Sequence, residues 1–94
     1  MIVDKNNILK SISTNSCVDL ELGCGPNKKN SHAIGIDILE YDCVDVVGDV
    51  FDILHQVPSS SVNNIYTYHF LEHIAEIDKL IKEMHRILSI NGKI

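Results

Sequence analysis

One stretch limits the folds open to this chain more than any other. It is an alternating, largely apolar run that stops at two glycines. The stretch reads Cys17-Val18-Asp19-Leu20-Glu21-Leu22-Gly23-Cys24-Gly25-Pro26-Asn27-Lys28. Val18 to Leu22 has the pattern of a buried strand, and Gly23-Cys24-Gly25-Pro26 that of the tight turn it feeds. Two glycines around one small residue let the backbone bend sharply and let a ligand approach the main chain. On open parallel sheets, ligands dock at the carboxyl ends of such strands. Glu21 stands two residues before Gly23, close to that end. A carboxylate there suits a ligand carrying positive charge and does not suit a pyrophosphate.

The dinucleotide fingerprint G-x-G-x-x-G needs a third glycine where this chain has Lys28. It also needs a helix immediately after the turn. Pro26 to His32 is polar and turn-rich, and about ten residues separate Leu22 from Ala33, whereas a parallel crossover takes a dozen or more. The link is therefore expected to be a tight loop or a single helical turn, with little help from a helix dipole.

The rest of the chain follows an α/β pattern. Asp4 to about Ile12 reads as a short amphipathic helix with Asp4 as N-cap. Ala33 to Asp37 reads as a second buried strand ending in an acid. Val44 to Asp49 reads as a third, ending in another acid. Val50 to Gln56 is a short helix, and Val62 to Tyr68 a fourth strand. From Leu71 to Leu88 apolar residues recur at gaps of three and four, which predicts an amphipathic helix packed on a sheet. Asp78 and Lys82 are placed to pair on its outer face. Asn91-Gly92 is expected to end it, the glycine suiting a left-handed cap. Lys93-Ile94 would open a fifth strand. A parallel sheet in the order 3-2-1-4 puts the switch point between the first and fourth strands.

Ninety-four residues allow one domain, read here as residues 1–94. A formal net charge of −5 disfavours a nucleic-acid backbone as partner. No apolar run approaches a membrane span, and the start of the chain has no secretion signal. The three cysteines show no C-x-x-C spacing and read as reduced residues of a cytoplasmic protein.

Glu21-Leu22-Gly23-Cys24-Gly25 resembles motif I, [DE]-x-G-x-G, of class I S-adenosylmethionine-dependent methyltransferases. Tyr68-His69-Phe70-Leu71-Glu72-His73-Ile74 is similar to the x-x-x-L-E-H-I stretch of the same enzymes, specifically the short-loop, type 11-like group. Glu83 to Gly92 resembles their helix-to-turn segment. The resemblance runs from Val18 to Ile94. It implies a Rossmann-like fold, with S-adenosylmethionine across the carboxyl ends of the strands. It places Glu21 near the methionine amino group, with Gly23, Cys24 and Gly25 passing under the ligand. Asp37 is implied at the ribose hydroxyls with Ile38 beside it, Asp49 at the adenine amino group with Val50 beside it, and Tyr68 after the fourth strand. Asp45 competes with Asp49 for the adenine role, and the strand end favours Asp49. His69 and His73 are candidate bases toward an acceptor hydroxyl, since imidazole titrates near neutrality. The expected acceptor is a small molecule or a glycan, and no metal is required.

His69-x-x-Glu72-His73 also spells the inverted zinc-peptidase motif H-x-x-E-H. On a helix the two histidines would share a face and Glu72 would serve as general base. A cofactor-binding fragment without activity of its own is a further alternative. The resembled fold has seven strands, of which four and the start of a fifth are read here. The fourth strand is therefore expected to be an exposed edge, with self-association or a longer parent chain as the consequence.

Overall fold

A computed structural model describes residues 2–12, 18–68 and 70–94, with His73 and Asn91 described by their backbones only. Six strands form one sheet, flanked by helices. The strands are β1 (Val3–Asp4), β2 (Asp19–Leu22), β3 (Ile34–Asp37), β4 (Val46–Val47), β5 (Val62–Thr67) and β6 (Leu88–Lys93). The helices are α1 (Ile8–Ser11), α2 (Val50–His55) and α3 (Ile77–Ile87). Across the sheet the order is β1-β4-β3-β2-β5-β6. All neighbours are parallel except β1, which pairs antiparallel with β4.

This order differs from the expected four-strand sheet because a strand is added at each edge. At one edge, Val3 and Asp4 pair with Val47 and Val46 instead of starting a helix. Asp4 still caps α1 from its strand position: its two carboxylate oxygens accept from the Ile8 and Leu9 amides at 2.9 and 2.8 Å. At the other edge, β6 leaves α3 with no loop between them and pairs with β5, Val62 opposite Leu88 and Asn64 opposite Lys93. β5 is therefore not the exposed edge that its sequence predicted. Gly92 is no left-handed cap either. It sits in β6, where a Cβ would meet the Val62 carbonyl oxygen at 3.1 Å and the Leu88 side chain at 2.8 Å. Its missing side chain serves close strand approach.

The expected helix from Leu71 to Leu88 is interrupted. Leu71–His73 is a single 3-10 turn, Ile74 is extended, and α3 begins only at Ile77. Ile74 packs against the core in that extended form, so tertiary contact overrides local propensity. Among the described residues α3 carries the ion pairs Glu76–Lys79 at 3.6 Å and Glu83–Arg86 at 3.0 Å, and Asp78 with Lys82 is not one of them.

Strand register sorts the side chains. Leu20 lies opposite Ile65, Leu22 opposite Ile36, and Ile36 opposite Val46, so these five share one face. All are buried in a single core with Ile53, Leu54 and Val57 around α2 and Leu80, Met84 and Ile87 of α3. At about 1.5–3 kcal/mol for each fully buried aliphatic side chain, this face is the main source of stability. Glu21 and Gly35, opposite each other in the register, belong to the other face. Among the described residues no helix lies between β2 and β3, or between β3 and β4, to cover that face. Turns and loops do so instead, as the shortness of the Pro26–His32 segment predicted.

Candidate functional site

The chain crosses from β2 through β3 to β4 in one direction and then returns to place β5 on the far side of β2. That reversal is a topological switch point, and a crevice is expected at the carboxyl ends of its strands. A cavity of about 480 Å3 opens there. It is lined by Gly23 after β2, Ile36 to Leu39 around the end of β3, Gly48 to Val50 after β4, and Phe70 and Ile74 after β5. Two acids line it, Asp37 and Asp49; the other side chains around them are apolar.

Each acid is fixed by its own local structure. One Asp37 oxygen accepts from the Gly25 amide at 2.8 Å, and the other from the Leu39 amide at 2.9 Å. The first bond ties the Gly turn to the end of β3. Asp49 is the N-cap of α2, its carboxylate accepting from the Phe51 amide at 2.9 Å. Asp45 is used elsewhere: it pairs with the Lys28 ammonium at 3.0 Å and accepts from the Gly35 amide at 2.8 Å. Of the two competitors, Asp49 alone lines the cavity.

Gly23 and Gly25 both adopt positive φ, 65° and 63°, so the turn needs glycine on conformational grounds. At Gly23 there is a second reason. A Cβ there would lie 2.4 Å from the Phe70 ring, and nothing comparable surrounds Gly25. Phe70, which the sequence did not single out as a site residue, is thus seated on the Gly turn and forms a wall of the cavity. Its contact with Gly23 spans 47 positions and leaves no mark in local periodicity.

The other expected residues fall into two groups. Ile38 and Val50 line the cavity with Asp37 and Asp49. Glu21, Cys24, Gly25 and Tyr68 stand behind it or beside it. The Glu21 carboxylate is 1% exposed and accepts from the Lys29 amide at 3.0 and 3.1 Å, the Asn30 amide at 2.8 Å and Asn30 Nδ2 at 3.0 Å. It is a buried charge compensated by three donors, holding the 26–32 loop onto the sheet. Asn30 Nδ2 also donates to the Tyr68 hydroxyl at 3.2 Å, and the Lys29 ammonium lies 5.4 Å from the Tyr68 ring centre. Burial, reinforced by neighbouring Cys43, Asp37 and Glu21, pushes the Cys24 thiol up to about 12. Cys24 is a packed turn residue and no nucleophile at neutral pH.

His69 lies outside the described residues, and the His73 backbone lies in the 3-10 turn. The helix on which the H-x-x-E-H reading depends is not formed at residues 71–74, because Ile74 turns extended after one 3-10 turn. Among the described residues no three His, Cys, Asp or Glu side chains gather as a metal site. No helix among them is long and apolar enough to cross a membrane. A second, larger cavity of about 660 Å3 lies among Ile2, Phe51, Lys79 and Glu83, away from the strand ends.

A family model described as a methyltransferase domain matches residues 20–94. Neither the curated proteins nor the solved structures give a significant match.

Proposed function

The chain belongs to the methyltransferase-domain family, a class I S-adenosylmethionine-dependent family, and from that premise we propose that it binds S-adenosylmethionine at the strand ends and directs methyl transfer to a small-molecule or glycan acceptor. The observation that carries this reading is the meeting of the Gly23–Gly25 turn with Asp37 and Asp49 around one crevice.

The residues fit the cofactor. A volume of about 480 Å3 lies within the roughly 300–1,000 Å3 of small-molecule sites. Two carboxylates at neighbouring strand ends accept hydrogen bonds from hydroxyl and amino groups and repel phosphates. Apolar Ile38, Val50 and Ile74 complement a purine face. When bound, S-adenosylmethionine supplies a methyl group on a sulfonium, open to in-line displacement by a nucleophile.

The chain's own part is mainly positioning. Asp37 offers its carboxylate to vicinal hydroxyls while Gly25 and Leu39 hold it in place. Asp49 offers its free oxygen to an exocyclic amino group while its other oxygen caps α2. Glu21 acts one step back, keeping the 26–32 loop and Tyr68 in register with the Gly turn. His69 and His73 are the proposed proton acceptors toward the methyl acceptor. The short loops over the sheet favour a small or glycan acceptor by family analogy.

Calorimetry with S-adenosylmethionine tests the cofactor assignment. Asp37→Ala should weaken binding by roughly 1.5–3 kcal/mol for each charge-assisted hydrogen bond lost. Tight NADH binding with no response to S-adenosylmethionine would overturn the reading.

A further inference from the structure

The larger cavity, about 660 Å3, lies in the groove between α2 and α3 and has no part in the function proposed above. Its volume falls within the range of small-molecule sites and exceeds that of the cavity at the strand ends. Its apolar floor is Ile2 and Phe51, half-buried side chains that pack on the core and carry it to the surface. The Lys79 ammonium stands 4.8 Å from the Phe51 ring centre. Lys82, one turn further along α3, and His55 in the last turn of α2 complete a basic rim.

The charges around this groove do not cancel. Lys79 and Lys82 stand there with two acids, Asp52 and Glu83. Glu83 is already taken: its carboxylate accepts from Arg86 Nη2 at 3.0 Å and from Arg86 Nε at 3.3 Å. Asp52 lies in the first turn of α2, where the helix amides compensate it. On the basic side, the Lys79–Glu76 pair is 3.6 Å long and largely exposed at both ends, so it holds Lys79 weakly. Lys82, which the sequence would pair with Asp78, has no ion pair among the described residues. In a chain of net charge −5, an apolar groove rimmed by two loosely held ammonium groups is a local exception.

We propose that this groove binds a small aromatic carboxylate. The carboxylate meets the Lys79 and Lys82 ammonium groups, and the ring lies on Phe51 and Ile2. Charge-assisted hydrogen bonds to two ammonium groups orient the acid end. Because Lys79 already stands over Phe51, an anion that it holds has its own ring brought against the phenyl group, a pairing worth more than the area it buries. An inorganic anion gains the first contact without the second, and a neutral aromatic the second without the first. A nucleic-acid polyanion is opposed by the net negative charge of the chain. The site is built from the surfaces of two helices and is independent of the cofactor reading.

Titration of the isotope-labelled chain with benzoate, followed through its amide resonances, tests the site. Saturable shifts are expected at residues 51–56 and 79–83, and an excess of S-adenosylmethionine should leave them in place. Benzamide, cyclohexanecarboxylate and inorganic phosphate should each bind about three- to tenfold more weakly than benzoate. Lys79→Gln and Lys82→Gln, both on the helix surface, should each weaken benzoate about two- to fivefold, as for an exposed ion pair, and the double variant about tenfold. Phe51→Leu keeps an apolar side chain and the amide that caps Asp49. It should narrow the advantage of benzoate over cyclohexanecarboxylate. Equal affinity for benzoate and benzamide, or unchanged binding in the double lysine variant, overturns the proposal. So do shifts that never saturate, shifts centred on the Gly turn, and displacement by S-adenosylmethionine. If the chain binds no S-adenosylmethionine, the cofactor reading falls, and the lysine variants still decide this site.

Discussion

On one face of the sheet, Leu20, Leu22, Ile36, Val46 and Ile65 lie under α2 and α3; on the other, Glu21 and Gly35 lie under loops. The first face is held by area. Its side chains are apolar, fully buried and interchangeable within limits of volume. The second is held by direction. Three donors from Lys29 and Asn30 converge on one carboxylate, Lys28 pairs with Asp45, and a glycine leaves space measured in tenths of an ångström. The two acids and the Gly turn of the candidate site depend on the second face or on the strand ends above it, whereas its apolar lining, Ile36, Val50, Phe70 and Ile74, belongs to or packs on the core. Stability and positioning are thus divided between the two sides of one sheet, and substitutions of matched severity should separate them.

The largest effect is expected on the helix-covered face. Leu80 is fully buried between α3 and the sheet. Leu80→Ala should cost about 2–5 kcal/mol by urea denaturation, a large part of the stability of a small domain. Leu80→Met, close in volume, should cost less than about 1.5 kcal/mol. Equal losses for the two would show that shape, and not area, governs this face.

Glu21→Gln applies the opposite test. It keeps volume and shape, yet it turns an amide donor toward the Lys29 and Asn30 donors. The expected loss is about 1–3 kcal/mol, with weaker cofactor binding as the 26–32 loop loosens. A variant as stable as the parent, and binding as well, would mean that the loop face does not depend on this carboxylate.

The same division explains what the sequence could tell. The strand Val18 to Leu22, its Gly turn, and Asp37 and Asp49 at strand ends were legible because period and turn chemistry are local. The hydrogen-bond partners of Glu21 were not. Its position near the strand end pointed toward a ligand, and its donors in the fold, two backbone amides and the Asn30 side chain eight and nine residues on, lie in a loop with no periodicity. Phe70 on Gly23 and Gly92 against Val62 are likewise long-range fits of a side chain to a missing one. Leu88-Ser89-Ile90 reads as the end of a helix because its leucine continues the helical stripe. Only the pairing of β6 with β5 makes a strand of it.

A smaller effect should come where cap and site coincide. Asp49→Ala removes the N-cap of α2, at a cost of about 1 kcal/mol, together with one cofactor hydrogen bond. Asp49→Ser keeps a capping oxygen but no carboxylate. It should regain the stability and leave cofactor binding weak. Recovery of both in Asp49→Ser would assign Asp49 to the helix alone.

The smallest effect belongs to the outer surface of the helix layer, where directional bonds also occur but water competes for them. Arg86 donates to Glu83 at 3.0 Å and to the Leu54 carbonyl at 2.7 Å, tying α3 to the end of α2. The Arg86 hydrogen bond holds the Glu83 carboxyl below its ordinary range, against the opposing effect of burial. A depressed folded-state value means that the pair stabilises the fold fully above the unfolded-state value, about 4.3 for Glu. The contribution fades as pH falls through the folded-state value. Glu83→Gln should therefore cost no more than about 1 kcal/mol at neutral pH, and the gap between variant and parent should close as the solution is acidified. Denaturation midpoints measured at neutral pH and at successive acidic steps give that gap directly. A gap that persists or widens in acid would assign the effect to packing of the Glu83 stem, bringing this corner closer to the helix-covered face than to the loop-covered one.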